Sequence, residues 1–138
     1  MARKDVFHDH VRKALENDGW LITDDPYKIK VGGIYQEIDL GAEKLIAAER
    51  GKEKIAVEVK SFIDKSPLSN FHEALGKFRN YRRALRKKEP DRVLYLAIPE
   101  PVYNKFFAKP FIQEAVEEEE LLLAVYSVTE TIIVLWIK

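Results

Sequence analysis

The chain has 138 residues, of which 46% are hydrophobic and 33% are charged, a composition typical of a globular protein that buries one core. Lys plus Arg and Asp plus Glu both number 23, so the zero net charge excludes a basic tail or a globally basic nucleic-acid coat. Cysteine is absent, which excludes disulfides, thiolate metal sites and a cysteine nucleophile.

The start of the sequence carries no signal-peptide core, and the longest apolar run, residues 132–137, is too short to span a bilayer. We therefore expect a cytoplasmic protein with no membrane segment. No linker composition divides the chain and no internal repeat is present, so residues 1–138 are predicted to form a single domain.

The first half of the chain predicts a helix followed by strands. Apolar residues recur at helical spacing up to Gly19, and the later polar and glycine-rich stretches mark turns between short apolar runs. We predict a helix over residues 3–18, a strand over 20–23, a turn at 24–26, a bend at 32–33, and a hairpin that pairs 45–49 with 54–60 across the turn 50–53.

The second half predicts one long helix between strands. An apolar stripe at helical spacing runs over residues 70–88, and Pro90 closes it. A buried strand over 92–99, short helices over 102–108 and 110–118, and a closing strand pair over 121–128 and 131–137 follow. This order predicts an α/β fold with a mixed sheet.

Glu58 and Lys60 are the most informative pair, because they lie two residues apart on one face of a predicted strand. Strand side chains alternate, so the flanking valines point one way while Glu58 and Lys60 point the other, with attachment points roughly 6–7 Å apart. A solvated edge strand alternates in the same way, and that interpretation stays open. The flanking valines and the long helix that follows favour an inner strand under a crossover helix.

A charge pair on an inner strand is costly unless a metal or a partner compensates it. Asp39, set between the apolar Ile38 and Leu40, supplies a second acid from an adjacent strand segment. We therefore predict a site for Mg²⁺ or Mn²⁺ on Asp39 and Glu58. Lys60 is then expected to orient the attacking water or to stabilise the developing charge.

The order Asp39…Glu58-x-Lys60 resembles the Asp…(Asp/Glu)-x-Lys core of the restriction-endonuclease-like superfamily of metal-dependent DNA nucleases. That superfamily has the core order helix, three strands, helix, strand, so the resemblance implies a mixed central sheet flanked by helices. Further blocks, residues 7–20, 38–43, 56–62, 71–76 and 80–82, are similar to the cyanobacterial fdxN element excision controlling factor proteins of the XisH family. This second resemblance extends over almost the whole chain.

The XisH resemblance implies a role in the programmed excision of a DNA element during heterocyst differentiation, together with a site-specific recombinase and a second excision factor. If the nuclease core is active, the protein is a magnesium-dependent endodeoxyribonuclease with Asp39, Glu58 and Lys60 as catalytic residues. The alternative is a catalytically silent accessory protein that binds DNA or a partner and controls the recombinase. Nucleases with this core pair two active sites to cut two strands, so a homodimer is also expected.

Three further residues are candidates for the site. Many superfamily members place a Gln-x-x-x-Tyr pair on the helix after the Lys strand, and the corresponding residues here are Lys77 and Tyr81, so the lysine departs from the pattern. Tyr81 also fits the apolar stripe of a core helix. Some junction-resolving relatives use a first-helix glutamate, for which Asp9, His10 and Glu16 are the candidates here. His10 is expected to face inward, either towards the site or as a core residue.

The long helix carries seven basic residues and no acid between Lys77 and Lys88, which is uneven in a neutral protein. Arginine forks suit phosphate oxygens, so DNA contact is one interpretation, and a solvated helix end with favourable dipole interactions is the other. The candidate DNA contacts are Arg79, Arg82, Arg83 and Arg86. The acid run 117–120 is expected to balance charge, and residues 132–137 are expected to form a core strand or, alternatively, a dimer or partner seam.

Overall fold

The computed structural model of the protein describes residues 4–47 and 51–138, which form an α/β structure with a mixed six-stranded sheet and a separate two-stranded hairpin. The predicted α/β class is thereby confirmed. In chain order the elements are α1 (His8–Asn17), β1 (Leu21–Asp24), β2 (Tyr27–Val31), β3 (Ile34–Ile38), β4 (Leu40–Ala47), β5 (Gly51–Val59), α2 (Pro67–Lys88), β6 (Arg92–Pro99), α3 (Glu100–Lys105), α4 (Pro110–Glu118), β7 (Leu123–Ser127) and β8 (Ile132–Ile137).

The main sheet has the strand order β1-β4-β5-β6-β7-β8. The pairs β5–β6 and β6–β7 are parallel and the others are antiparallel, with α2 as the crossover between β5 and β6. Side chains of β5 alternate between two cores: Val57 and Val59 pack with α1 residues on one face, and Ala56 packs with α2 residues on the other. β5 is therefore an inner strand, and the interpretation of Glu58 and Lys60 as a solvated sheet edge is wrong.

The hairpin predicted around residue 50 is confirmed, but its strands are longer than predicted. β4 begins at Leu40 and pairs with β5 from Leu40↔Val57 to Ala47↔Gly51. Gly51, which was expected in the turn, is already the first residue of β5. Residues 48–50, which include the rest of the predicted turn, lie outside the described residues, as does Arg3 at the predicted start of the first helix.

The β2–β3 hairpin was not predicted as a pair of strands. Its tip is the dipeptide Gly32-Gly33, in which φ is +58° and +81°. A side chain rarely adopts this left-handed region, so two glycines allow the chain to reverse over two residues. Ile29 and Ile38 on one face of the hairpin join the core under α2. The hairpin therefore packs against α2, and its second strand ends directly before Asp39.

The long helix α2 begins at Pro67, three residues before the predicted start at residue 70. The Ser66 hydroxyl oxygen accepts a hydrogen bond from the Ser69 backbone N–H at 3.1 Å. Pro67 occupies the first helical position, where a backbone N–H would have no partner within the helix, so the missing N–H of proline costs nothing there. The apolar stripe is buried as predicted. Its buried members are Phe71, Ala74, Phe78, Tyr81, Ala84 and Leu85.

The C-terminal third closes the sheet. β6 and α4 have the predicted bounds, whereas α3 begins at Glu100 rather than residue 102, and β7 and β8 are each shorter than predicted. β8 forms one edge of the sheet, where Val134 and Leu135 remain 37% and 40% exposed. Among the helices of residues 4–47 and 51–138, even the 22-residue α2 is too polar to cross a membrane.

Candidate functional site

Asp39 and Glu58 are placed side by side by the β4–β5 ladder. Leu40 pairs with Val57, so Asp39 stands opposite Glu58 on the same face of the sheet. The Asp39 backbone N–H donates to Glu58 Oε1 at 3.3 Å, and the Val59 N–H donates to Asp39 Oδ2 at 2.7 Å. The two carboxyl groups lie within hydrogen-bonding reach of each other. Strand register alone therefore fixes this pair.

Positive charge compensates the Asp39–Glu58 pair only in part. Glu58 is only 6% exposed, and burial, followed by the adjacent Asp39 charge, raises the pKa of the Glu58 carboxyl well above its ordinary value. Burial also raises the pKa of Asp39, although the hydrogen bond from Val59 N–H opposes this. Two adjacent carboxylates, Glu58 buried and Asp39 half-buried, form a donor set suited to a divalent cation. Among residues 4–47 and 51–138 no three His, Cys, Asp or Glu side chains are grouped to hold a metal, so water or phosphate oxygens would complete its shell.

Lys60 lies on the same strand face but turns towards α2. Its Nζ donates to Glu73 Oε1 at 2.9 Å, and the Lys60 side chain is 12% exposed. Lys77 lies between Glu58 and Glu73, with its Nζ 3.8 Å from Glu58 Oε2 and 3.7 Å from Glu73 Oε1. Hydrogen bonds from Lys65 and Lys60 lower the pKa of the Glu73 carboxyl to about 2, so Glu73 is ionised at neutral pH. Lys60 is thus beside the carboxylate pair, with Glu73 as its hydrogen-bond partner.

Tyr81 approaches the same carboxylates from α2. Its side chain is 9% exposed within the core under the helix. Burial, and then the charges of Glu58 and Asp39, raise the pKa of the Tyr81 phenol above its ordinary value. Tyr81 is therefore a core residue of α2, as the apolar stripe predicted, and its role at the site stays a prediction. Lys77, one turn earlier on the helix, reaches the carboxylate pair.

The chain turns sharply just beyond Lys60. Phe62 has φ of +62°, a left-handed conformation that a bulky residue rarely adopts. Its ring is buried and meets the Phe107 ring edge-on at 5.7 Å between centroids. The neighbouring Ser61 N–H donates to Asp5 Oδ2 at 2.8 Å. These contacts stabilise the turn and hold the end of β5, and with it Lys60, in place.

The whole chain is similar to proteins of one family. Residues 1–134 match the family model described as XisH protein. The chain belongs to the XisH family. A solved XisH family protein from Nostoc punctiforme PCC 73102 is 48% identical with a TM-score of 0.89, and the match covers 97% of this chain and 100% of that one. A solved fdxN element excision controlling factor protein from Anabaena variabilis is 50% identical with a TM-score of 0.89, covering 98% and 100%. The curated proteins include no match.

The prediction that His10 faces inward in this XisH family member is wrong. His10 is exposed, and its ring packs edge-on against Phe7 at 5.6 Å between centroids. Asp9 and Glu16, the other first-helix candidates, are exposed too. The inward histidine is His8, because the buried positions of α1 follow His8 at helical spacing and a residue two places on falls on another face.

His8 forms a polar cluster that sequence reasoning missed. Its Nε2 lies 2.7 Å from Asp25 Oδ1, while Arg12 Nη1 donates to Asp25 Oδ2 at 2.7 Å. Against the effect of burial, the hydrogen bonds from Arg12 and His8 lower the pKa of Asp25. His8 also acts on Asp39, whose pKa it lowers against the larger effect of burial. His8 is thus the buried polar residue of the first helix.

The basic residues of α2 have different partners. Arg79 forms a two-fold hydrogen bond with Glu119, its Nε donating to Oε2 at 2.8 Å, and Arg82 Nη1 donates to the Glu119 carbonyl at 2.6 Å. Arg86 lines a cavity together with Glu117 and Glu120. Within the acid run 117–120, Glu119 thus balances the charge of Arg79, as expected. Arg83, one turn after Arg79, lines a different cavity beside the tip of the β2–β3 hairpin.

Proposed function

We propose that this XisH family member is a divalent-metal-dependent, endonuclease-like protein that acts on DNA during the excision of a DNA element. The observation that carries the proposal is the Asp39–Glu58 pair. Glu58 is buried, Asp39 beside it is half-buried, the pKa values of both are raised, and the ammonium groups of Lys60 and Lys77 lie nearby. The name of the relative from Anabaena variabilis supports the link to fdxN element excision.

We propose further that the domain has the restriction-endonuclease-like fold. The order α1, β1, β4, β5, α2, β6 gives helix, three strands, helix, strand, once the β2–β3 hairpin is treated as an insertion. The parallel pair β5–β6 with α2 as its crossover supports the same assignment. In this arrangement Asp39 precedes the second of the three core strands and Glu58 and Lys60 lie at the end of the third.

Each site residue then has a distinct task. Asp39 and Glu58 hold the cation, which when bound polarises a phosphate oxygen and lowers the pKa of its water. Lys60 places a positive charge next to the carboxylates, where it stabilises charge that develops on the phosphate or orients the attacking water. Glu73 positions Lys60 through the 2.9 Å hydrogen bond. Lys77 offsets part of the charge of Glu58.

Cleavage of DNA tests the proposal. The wild type is expected to cut duplex, single-stranded or four-way-junction DNA with Mg²⁺ or Mn²⁺ and to stop in EDTA. Glu58→Ala and Lys60→Ala are each expected to lower the rate by at least about 10²-fold, because one removes a metal ligand and the other a charge-stabilising group. Gel analysis of end-labelled DNA measures the rates. Equal cutting by wild type and both variants would contradict the assignment.

A second candidate function is favoured by the Lys60–Glu73 ion pair. A lysine whose charge is already neutralised by Glu73 suits a protein that keeps the nuclease fold and binds DNA without cutting it. Such a protein would control a site-specific recombinase, together with a second excision factor. The absence of cutting on all three DNA forms, with DNA binding that survives both substitutions, would favour this accessory role.

We also propose that the protein forms a homodimer through β8. Residues 131–137 carry no charge, so two β8 edges can pair without like-charge repulsion, whereas the opposite edge strand β1 has only four residues and ends at Asp24. Light scattering is expected to give twice the mass of one chain for the wild type and one chain for Val134→Lys. Phe111→Lys, at a 76% exposed apolar residue outside β8, is the control and should remain dimeric. A dimeric Val134→Lys variant would refute this seam.

A further inference from the structure

We infer that the groove between the tip of the β2–β3 hairpin and α2 binds the sugar–phosphate backbone of a DNA strand and leads it to Asp39 and Glu58. This inference rests on the proposed action on DNA and adds the surface that holds the substrate. The groove has a volume of about 460 Å³. Its lining residues are Val31, Gly32, Ile34 and Gln36 from the hairpin, and Asn80, Arg83, Ala84 and Lys87 from α2.

The lining of the groove has the chemistry that a nucleic-acid backbone requires. Arg83 and Lys87 lie one helical turn apart and are both exposed, and the Gln36 and Asn80 amides add neutral donors. No carboxylate belongs to the set of lining residues. Arg83 Nη1 donates to the Asn80 amide oxygen at 3.5 Å, and no acid of residues 4–47 and 51–138 forms an ion pair with this guanidinium. Cations and amides without acids favour phosphate oxygens.

The same helix provides an internal contrast. Arg79 and Arg82 are hydrogen-bonded to the C-terminal end of α4 at Glu119. Arg83 and Lys87, by contrast, line the groove at the hairpin. The cations that line the groove are therefore the ones offered to DNA, whereas Arg79 and Arg82 contribute to stability.

The groove leads into the candidate site. On the hairpin side, Gln36 lies in β3, which ends at Ile38 directly before Asp39. On the helix side, Asn80 lies nearly one turn after Lys77. The Lys77 Nζ lies 3.8 Å from Glu58 Oε2. From Lys77 to Lys87 the helix rises about 15 Å, which corresponds to about four phosphates along one strand of a duplex. A strand in the groove would therefore bring one of its phosphates towards the carboxylates.

The shape of the tip also suits close approach of a backbone. A Cβ atom placed on Gly32 would meet no atom within 4 Å, so the peptide groups of the turn are open to the groove. Peptide N–H groups that are exposed in a glycine turn can donate to phosphate oxygens. The apolar Val31 and Ile34 beside them offer contact area for sugar rings.

DNA binding by the full chain in EDTA tests the inference, because binding is then measured without cleavage. The probes are fluorescein-labelled single-stranded and duplex DNA, followed by anisotropy at several salt concentrations. Arg83→Gln/Lys87→Gln is expected to weaken binding about 10-fold or more and to reduce the slope of log K against log salt by about 2 on duplex DNA. The control, Arg79→Gln/Arg86→Gln, removes the same charge from two residues of α2 that do not line the groove, and it is expected to bind within about 2-fold of the wild type.

If the two double variants weaken DNA binding equally, the inference that DNA binds in the groove is overturned, since the loss would then be a general effect of charge. Unchanged binding by Arg83→Gln/Lys87→Gln, or no binding by the wild type, would overturn it as well. Thermal melting of each variant verifies that the fold is kept. The test distinguishes this inference from the proposed nuclease activity. A wild type that binds DNA through the groove but cuts none of the substrates would support the groove and contradict the nuclease activity. Glu58→Gln should keep binding while losing any cleavage.

Discussion

A divalent cation is expected to stabilise the folded wild type strongly, and Glu58→Gln and Asp39→Asn are each expected to abolish this effect. Glu58 is buried and Asp39 beside it is half-buried, and the raised pKa values of both reflect burial of negative charge that is only partly compensated. A cation relieves that repulsion only in the folded state, because the unfolded chain does not hold the two residues together. Binding therefore contributes directly to the free energy of unfolding.

The size of this effect follows from mass action. At a cation concentration of 100 times the dissociation constant, the free energy of unfolding rises by about 2.7 kcal/mol, which raises the Tm by roughly 10 °C. Differential scanning calorimetry with Mg²⁺, Mn²⁺ or Ca²⁺ against EDTA measures the shift. Asp91→Asn is a matched control, since that side chain is 66% exposed and should leave the shift unchanged. A Tm increase that survives Glu58→Gln would place the cation elsewhere.

In the absence of metal, the Asp39–Glu58 pair is expected to make the protein less stable as the pH rises. The pKa of Glu58 is raised well above its ordinary 4.5 in the folded state, and that of Asp39 above its ordinary 3.8. Between the unfolded and the folded pKa the native protein holds protons that the unfolded chain has released. The contribution of the pair is thus fully present below the unfolded pKa values and is lost as the pH rises through the folded ones.

Glu58→Gln is expected to remove this loss and to be more stable than the wild type in EDTA at pH 8, by about 1 kcal/mol or more. Denaturant unfolding from pH 4 to pH 8 measures the difference between the two proteins. The comparison between the two proteins cancels the effect of Glu73, which has the opposite pH dependence. The pKa of Glu73 is lowered to about 2, so its contribution to the free energy of unfolding is present above pH 4.5 and is lost as the pH falls. A Glu58→Gln variant that is less stable than the wild type at pH 8 would show that the carboxylate is well compensated.

The central features of the site could be predicted from the sequence because they depend on local rules. Alternation along a strand places Glu58 and Lys60 on one face, and the apolar neighbours together with the helix that follows identify β5 as an inner strand. The apolar stripe of α2 and the proline after it likewise fix the long helix. These are short-range patterns, and the structure follows them.

The missed features depend on how elements pack against one another. The prediction for His10 failed because the phase of a short helix on the sheet is set by tertiary contacts, which bury His8 instead. Glu73 was not identified as the partner of Lys60, although its position one turn before Lys77 is visible in the sequence. The division of the α2 arginines requires knowing that α4 ends beside Arg79.

The β2–β3 hairpin was missed for a different reason. Alternating residues on either side of Gly32-Gly33 are a recognisable hairpin signal, but only the bend was predicted there. The hairpin forms its own two-stranded sheet, outside the six-stranded sheet that the helix and strand order predicts. Local patterns therefore did not place Gln36 or Gly32 beside the basic helix, where they line the groove.

The most direct test of the metal site is a titration of the full chain with Mn²⁺, followed by electron paramagnetic resonance, which distinguishes free from bound ions. The wild type and Asp91→Asn are expected to bind Mn²⁺, and Asp39→Asn and Glu58→Gln are each expected to lose that binding. Retained binding of the same stoichiometry and affinity in both site variants would contradict the proposed metal site, because Asp39 and Glu58 would then not be the residues that hold the cation.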